Sequence, residues 1–211
     1  MAIALVLACG FASAARHNDD EARKLALTQT QSSDADVRLA AIAVLAEIGK
    51  PVDLPLLQSR LFDEDGRIRG TAEAAIWAIW SRSGDAATDR VFERGLEQMR
   101  EGQLRMAVDT FAKVIAMRPE FAEAWNKRAT VYFLLGEDEL SLKDCDEVLK
   151  RNPQHFGVLA GYGQIYLRNG DLERALDMFE RALAINPNMT GVQASIDALR
   201  ETLVKRGRRF I

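Results

Sequence analysis

The sequence predicts an all-α chain of stacked helical hairpins, and two periodicities predict it. Pro119, Pro153 and Pro187 recur at a period of 34, and three further sets keep that interval: Gly102, Gly136 and Gly170; Val114, Val148 and Ala182; Phe111, Cys145 and Phe179. Upstream, Asp34, Val37, Arg38, Ala41, Leu45 and Ile48 are echoed at a period of 31 by Asp65, Ile68, Arg69, Ala72, Ile76 and Ile79. One residue recurs by chance, but a set recurring at one period marks a structural unit that must stack on its neighbours to bury its apolar stripe.

The elements follow in chain order. Ala2 to Ala8 is apolar, and Ala12-Ser13-Ala14 has the small-residue pattern that precedes a signal-peptidase cut. Residues 1–15 are read as a leader and the protein as periplasmic or otherwise exported. The segment is short and has no Lys or Arg before its apolar stretch, which counts against a leader, and the alternative is a cytoplasmic chain. Val6-Leu7-Ala8-Cys9 matches a lipoprotein box loosely but comes too early, so membrane association through a lipidated Cys9 is not expected. No charge-free run approaches the ~18 residues of a membrane helix.

Residues 16–83 carry the upstream echo, with a partial unit around 20–29. Gly49-Lys50-Pro51 and Asp63-Glu64-Asp65-Gly66 break the helices, and Asp65 is placed to cap the next one. A joint is expected near Ser83-Gly84-Asp85. Residues 84–211 hold three units, 88–121, 122–155 and 156–189. In the second unit Trp125, Ala129 and Tyr132 lie at i, i+4 and i+7, Gly136 ends that helix, and Asn152-Pro153 ends its partner. After the third unit, Val192, Ile196, Leu199 and Leu203 form a one-sided helix over 190–206 that stops near Gly207.

The three downstream units resemble the tetratricopeptide repeat family. Trp125 and Tyr132 match its pattern in the second unit, and Gly163, Tyr166, Ala175, Phe179, Ala182 and Pro187 match in the third. The first unit keeps Gly95, Ala107, Phe111 and Pro119 but has Val91 and Gln98 at the aromatic positions. The upstream echo resembles the short HEAT-type repeat, in which an Asp begins the unit and an Arg starts its first helix. The resemblance implies a right-handed solenoid: a HEAT-like pair stacked on three tetratricopeptide hairpins, then a capping helix.

Little in the chain supports catalysis. With 28 basic and 31 acidic residues the net charge is −3, so no global field draws in nucleic acid or an anionic membrane. Only His17 and His155 occur, neither with a Cys or His at ligand spacing, so no metal is expected. No nucleophile triad, phosphate loop or dinucleotide turn is present. Asp63-Glu64-Asp65-Gly66 lacks the terminal Glu of a calcium loop. Asp144 and Asp146 point to different helix faces, and Cys145 sits at a packing position. Trp77 and Trp80 are read as packing residues and the terminal Lys205, Arg206, Arg208 and Arg209 as a solvated helix end. The expectation is no enzyme, no cofactor and no small-molecule substrate.

What the resemblance implies instead is a concave groove lined by the first helix of each unit. Carried over by register, its lining is Asp89, Phe92, Leu96, Met99 and Arg100; Glu123, Asn126, Thr130, Phe133 and Leu134; and Gly157, Ala160, Gln164, Leu167 and Arg168. Chaperone-binding members clamp a carboxylate with Lys, Asn and Arg, but the corresponding positions here are Phe92, Leu96, Lys127, Gly157 and Gly161. A protein or peptide segment with apolar anchors, held by Asn126 and Gln164, is the expected partner. The alternatives are an architectural subunit of a homo-oligomer or fixed complex, and an accessory, lyase-like or chaperone-like factor for another enzyme.

Overall fold

The computed structural model describes residues 18–208, so the leader, Cys9 and His17 lie outside the described residues. Every regular element among them is helical. Besides one 3-10 turn at Pro51–Asp53 they are α1 (18–29), α2 (Ala35–Ile48), α3 (Leu54–Arg60), α4 (Gly66–Trp80), α5 (Ala86–Arg100), α6 (Leu104–Met117), α7 (Ala122–Leu134), α8 (Asp138–Arg151), α9 (Phe156–Arg168), α10 (Leu172–Ile185) and α11 (Thr190–Arg208). None of these helices is long and apolar enough to cross a membrane. The chain divides into two compact units at Ile79 and Trp80.

In the first unit the upstream echo is a repeated set of side-chain bonds. Asp34 caps α2 by accepting from the amides of Asp36 and Val37, and Asp65 accepts from the amide of Arg67. Arg38 donates to the carbonyls of Ser32 and Ser33 at 2.9 and 3.1 Å and holds Asp63 through two bonds. Its counterpart Arg69 donates in the same way to the carbonyls of Asp63 and Glu64. Each Arg thus satisfies the carbonyls of the turn before its helix, while Ile42, Leu45, Leu57, Leu61, Ile68 and Ile76 fill the core.

In the second unit the downstream period is a hairpin. Gly102, Gly136 and Gly170 take φ of 73°, 77° and 77°, the left-handed conformation that glycine adopts without steric cost. At each, the amide of the following residue reaches back to a carbonyl five positions earlier: Gln103 to Gln98, Glu137 to Tyr132, Asp171 to Tyr166, at 2.8, 2.8 and 2.9 Å. One helix-ending motif is therefore used three times. The hairpins stack through three apolar clusters, the first around Phe92, Phe111 and Phe121, the second around Val148, Val158 and Ile165, the third around Phe179, Val192, Ile196 and Leu199. The last cluster shows α11 covering α10, as expected of a capping helix.

Candidate functional site: a pocket between α7 and α9

The first helices of the second and third hairpins, α7 and α9, enclose a cavity of about 120 Å³. Asn126, Thr130 and Phe133 line it from α7 and Gly157, Gly161 and Gln164 from α9, while Ala129, Ser141, Cys145, Val158 and Ile165 close it. Four side chains expected from the sequence, Asn126, Thr130, Phe133 and Gln164, are thus brought to one place. At Gly161 an added Cβ would meet nothing within 4 Å, so the missing side chain leaves the wall open. Burial pushes the Cys145 thiol up to about 12, so it offers sulfur packing and not a thiolate.

Beneath the pocket lies a buried polar network. The carboxylate of Glu123 accepts from Nδ2 of Asn126 at 3.0 Å, from Nζ of Lys127 at 2.8 Å and from Nε2 of His155 at 3.0 Å. His155 caps α9, its Nδ1 accepting from the amide of Val158 at 3.2 Å, which places the imidazole proton on Nε2. Trp80, the first residue of this unit, stacks on the imidazole with ring centroids 4.2 Å apart. Burial disfavours the Glu123 carboxylate, but His155 and Lys127 outweigh it and hold its pKa below the ordinary value. Because Glu123 claims the Nδ2 of Asn126, the Oδ1 of this 8% exposed side chain is the atom left for a ligand in the pocket.

Two expected groove residues are corrected. Phe92 is 1% exposed and packs on Phe111 and Phe121, with centroids 5.6 and 5.0 Å away, so it belongs to the core. Glu123 is also 1% exposed, and its oxygens are spent on the network above. The cause is shared: in α5 and at the start of α7, positions assigned to the groove by register point into the hairpin stack. Asp89 is committed locally, accepting from the amide and hydroxyl of Ser83. Leu96 and Met99 pack against the first cluster and Leu167 against the third. Arg100 pairs with Glu97, and Leu134 is exposed. Arg168 donates to the Phe133 carbonyl at 2.9 Å, pairs with Asp138 and lies 3.8 Å from the Phe133 ring centroid.

The lining also extends one helix beyond the three units. Thr190, which opens α11, stands one full period after Phe156, so α11 is in register a fourth first helix. Ala194, Ala198 and Thr202 hold its groove positions and, with Leu167, Leu172 and Arg206, line a wider recess of about 500 Å³. The signal for it was the period itself, extended past its last proline. Among the described residues no group of three or more His, Cys, Asp or Glu is placed to hold a metal ion.

Comparison with known proteins agrees with the repeat architecture. Residues 120–188 match the tetratricopeptide repeat model, and residues 2–77 match the HEAT repeat model. A TPR repeat-containing protein of Rhizobium etli is 33% identical over 124 residues, covering 59% of this chain and 61% of that protein. An FK506-binding protein-like protein of Mus musculus is 28% identical over 119 residues, covering 53% of this chain and 34% of that protein. The chain thus spans less than two thirds of either relative. Among solved structures, the first TPR domain of Spaghetti (RPAP3) bound to an HSP90 peptide superposes with a TM-score of 0.53 at 21% identity, covering 56% of this chain and 93% of that one. The Yersinia enterocolitica type III secretion chaperone SycD, in complex with a YopD peptide, gives 0.54 at 12% identity, covering 57% and 98%. At these identities the likeness is of fold. The residues that match the tetratricopeptide model hold the second and third hairpins, α5 and α6 form a hairpin with the same glycine turn before them, α11 covers the last, and the residues that match the HEAT model come first.

Proposed function

We propose that the chain is a non-catalytic scaffold whose tetratricopeptide face binds a polypeptide segment, with one aliphatic side chain seated between α7 and α9. The observation that carries this is the oriented Asn126 at an apolar pocket: Glu123 holds the amide nitrogen, so the oxygen is aimed to accept from a ligand backbone N–H. A cavity of about 120 Å³ suits a side chain and not a cofactor. Solved neighbours of the same fold hold peptides from HSP90 and YopD, which supports the class of partner. The carboxylate-clamp positions are occupied by Phe92, Leu96, Lys127, Gly157 and Gly161, which supports an apolar anchor over an acidic carboxyl terminus.

The double variant Asn126→Ala with Phe133→Ala is expected to weaken capture of the host partner at least ~10-fold, the equivalent of one lost hydrogen bond with its buried acceptor. Binding is read by calorimetry with the partner purified after capture, and circular dichroism checks the helical content. Unchanged affinity in a folded double variant sinks the reading.

A further inference from the structure

A second groove, of about 330 Å³, opens on α5 and α6, away from the concave positions. Val91, Arg94 and Gln98 line it from α5 and Met106, Asp109, Thr110 and Lys113 from α6. The second hairpin supplies the comparison, because each of these residues has a counterpart one period later. There Arg128 is held by Asp144 through two bonds of 2.7 and 2.8 Å, and its guanidinium lies 5.1 and 5.8 Å from the ring centroids of Trp125 and Tyr132. Arg94 stands where Arg128 does, but Thr110 replaces Asp144, Val91 replaces Trp125 and Gln98 replaces Tyr132. Lys113 replaces Glu147, a change from negative to positive, while Asp109 replaces Lys143 in the opposite sense, so the groove carries two cations and one carboxylate.

The same framework has therefore lost the carboxylate and both aromatic rings that surround the Arg. Among the described residues Arg94, Lys113 and Asp109 make no ion pair, and the Thr110 hydroxyl makes no hydrogen bond. Gln98 is 6% exposed and Thr110 7%, and the buried Oε1 of Gln98 has no donor. A buried acceptor without a donor forfeits its hydration for nothing, a loss that a ligand N–H would return.

We propose that this groove binds an acidic segment of a partner polypeptide, an Asp or Glu side chain taking the place that Asp144 holds in the second hairpin. Arg94 pairs with that carboxylate, Lys113 adds positive charge, and Gln98 accepts from the segment's backbone N–H. The need for an N–H beside the carboxylate selects a polypeptide over a small organic acid. This site shares no residue with the α7–α9 pocket and stands or falls independently of it.

The test titrates the isotope-labelled full chain, followed by amide and arginine Nε–H shifts, with the pentapeptide acetyl-Ala-Leu-Asp-Leu-Ala-amide, its Asn analogue and sodium acetate. Saturable shifts confined to α5 and α6, with the Asp peptide binding at least ~10-fold tighter than the Asn peptide, are expected for one charge-assisted pair. Arg94→Gln is expected to abolish that preference. Thr110→Asp is expected to raise the melting temperature and abolish binding, since it supplies the missing carboxylate from within. Equal binding of the Asp and Asn peptides, acetate binding as tightly as the Asp peptide, or an unchanged preference in folded Arg94→Gln overturns the proposal. Arg94→Gln decides the matter should Thr110→Asp fail to fold.

Discussion

Glu123→Ala is expected to lower the unfolding free energy of the second unit by ~3–5 kcal/mol, the range for removing one member of a buried charged network. The carboxylate is the common acceptor for Asn126, Lys127 and His155, and it joins the start of α7 to the cap of α9. Urea unfolding followed by circular dichroism measures the loss, and a change of no more than about 0.5 kcal/mol, typical of a surface site, would contradict it. The pH dependence follows from the direction of the shift. The folded Glu123 has a pKa below its ordinary value near 4.5, so the unfolded chain binds the proton more tightly. Its stabilisation is complete above pH 4.5 and is lost as pH falls through the folded value. Glu123→Gln should flatten that acid limb. Either substitution should also weaken partner capture, because the orientation of Asn126 depends on this carboxylate.

Much of this was legible in the sequence because the fold repeats. Gly102, Gly136 and Gly170 announced turns with positive φ, and the echo of Asp34 and Arg38 announced a cap and a guanidinium that closes the preceding turn. What periodicity cannot supply is the partner of a side chain. His155 ends a repeat, and nothing in the spacing hints that Glu123, in the helix that opens that repeat, receives its Nε2 proton. Phe92 falls on a groove position by register, but register gives a place on a helix and not what stacks against it. The apolar start of the chain satisfies two patterns at once. Ala2-Ile3-Ala4 to Gly10 matches Ala41-Ile42-Ala43 to Gly49 in spacing, and the HEAT repeat match includes it, while the same residues read as a leader. Sequencing the mature amino terminus tests the leader: loss of residues 1–14 supports export, and their retention counts against it.

The pocket itself traces to one departure from the repeat, and this yields the second large expected effect. In the first and third hairpins a glycine faces a phenylalanine: a Cβ on Gly95 would lie 2.6 Å from the ring of Phe111, and one on Gly163 2.3 Å from that of Phe179. The second hairpin has Ala129 and Cys145 at those two positions, and both border the cavity. A methyl has been added on α7 and an aromatic ring removed from α8, and the volume not refilled is the α7–α9 pocket. Cys145→Phe alone should therefore destabilise by ~1–3 kcal/mol, since its ring would meet the Ala129 methyl as Phe179 would meet a Cβ at residue 163. Adding Ala129→Gly should recover most of that loss by recreating the pairing of the neighbouring hairpins. The double variant is then a well-folded protein with its pocket filled, and capture of the partner should fall by at least ~100-fold, about the ~2.7 kcal/mol that seating one aliphatic side chain is worth. Urea unfolding and calorimetry on the same preparations measure both quantities. Stability regained without loss of binding would remove the pocket, and with it the aliphatic anchor, from the recognition surface.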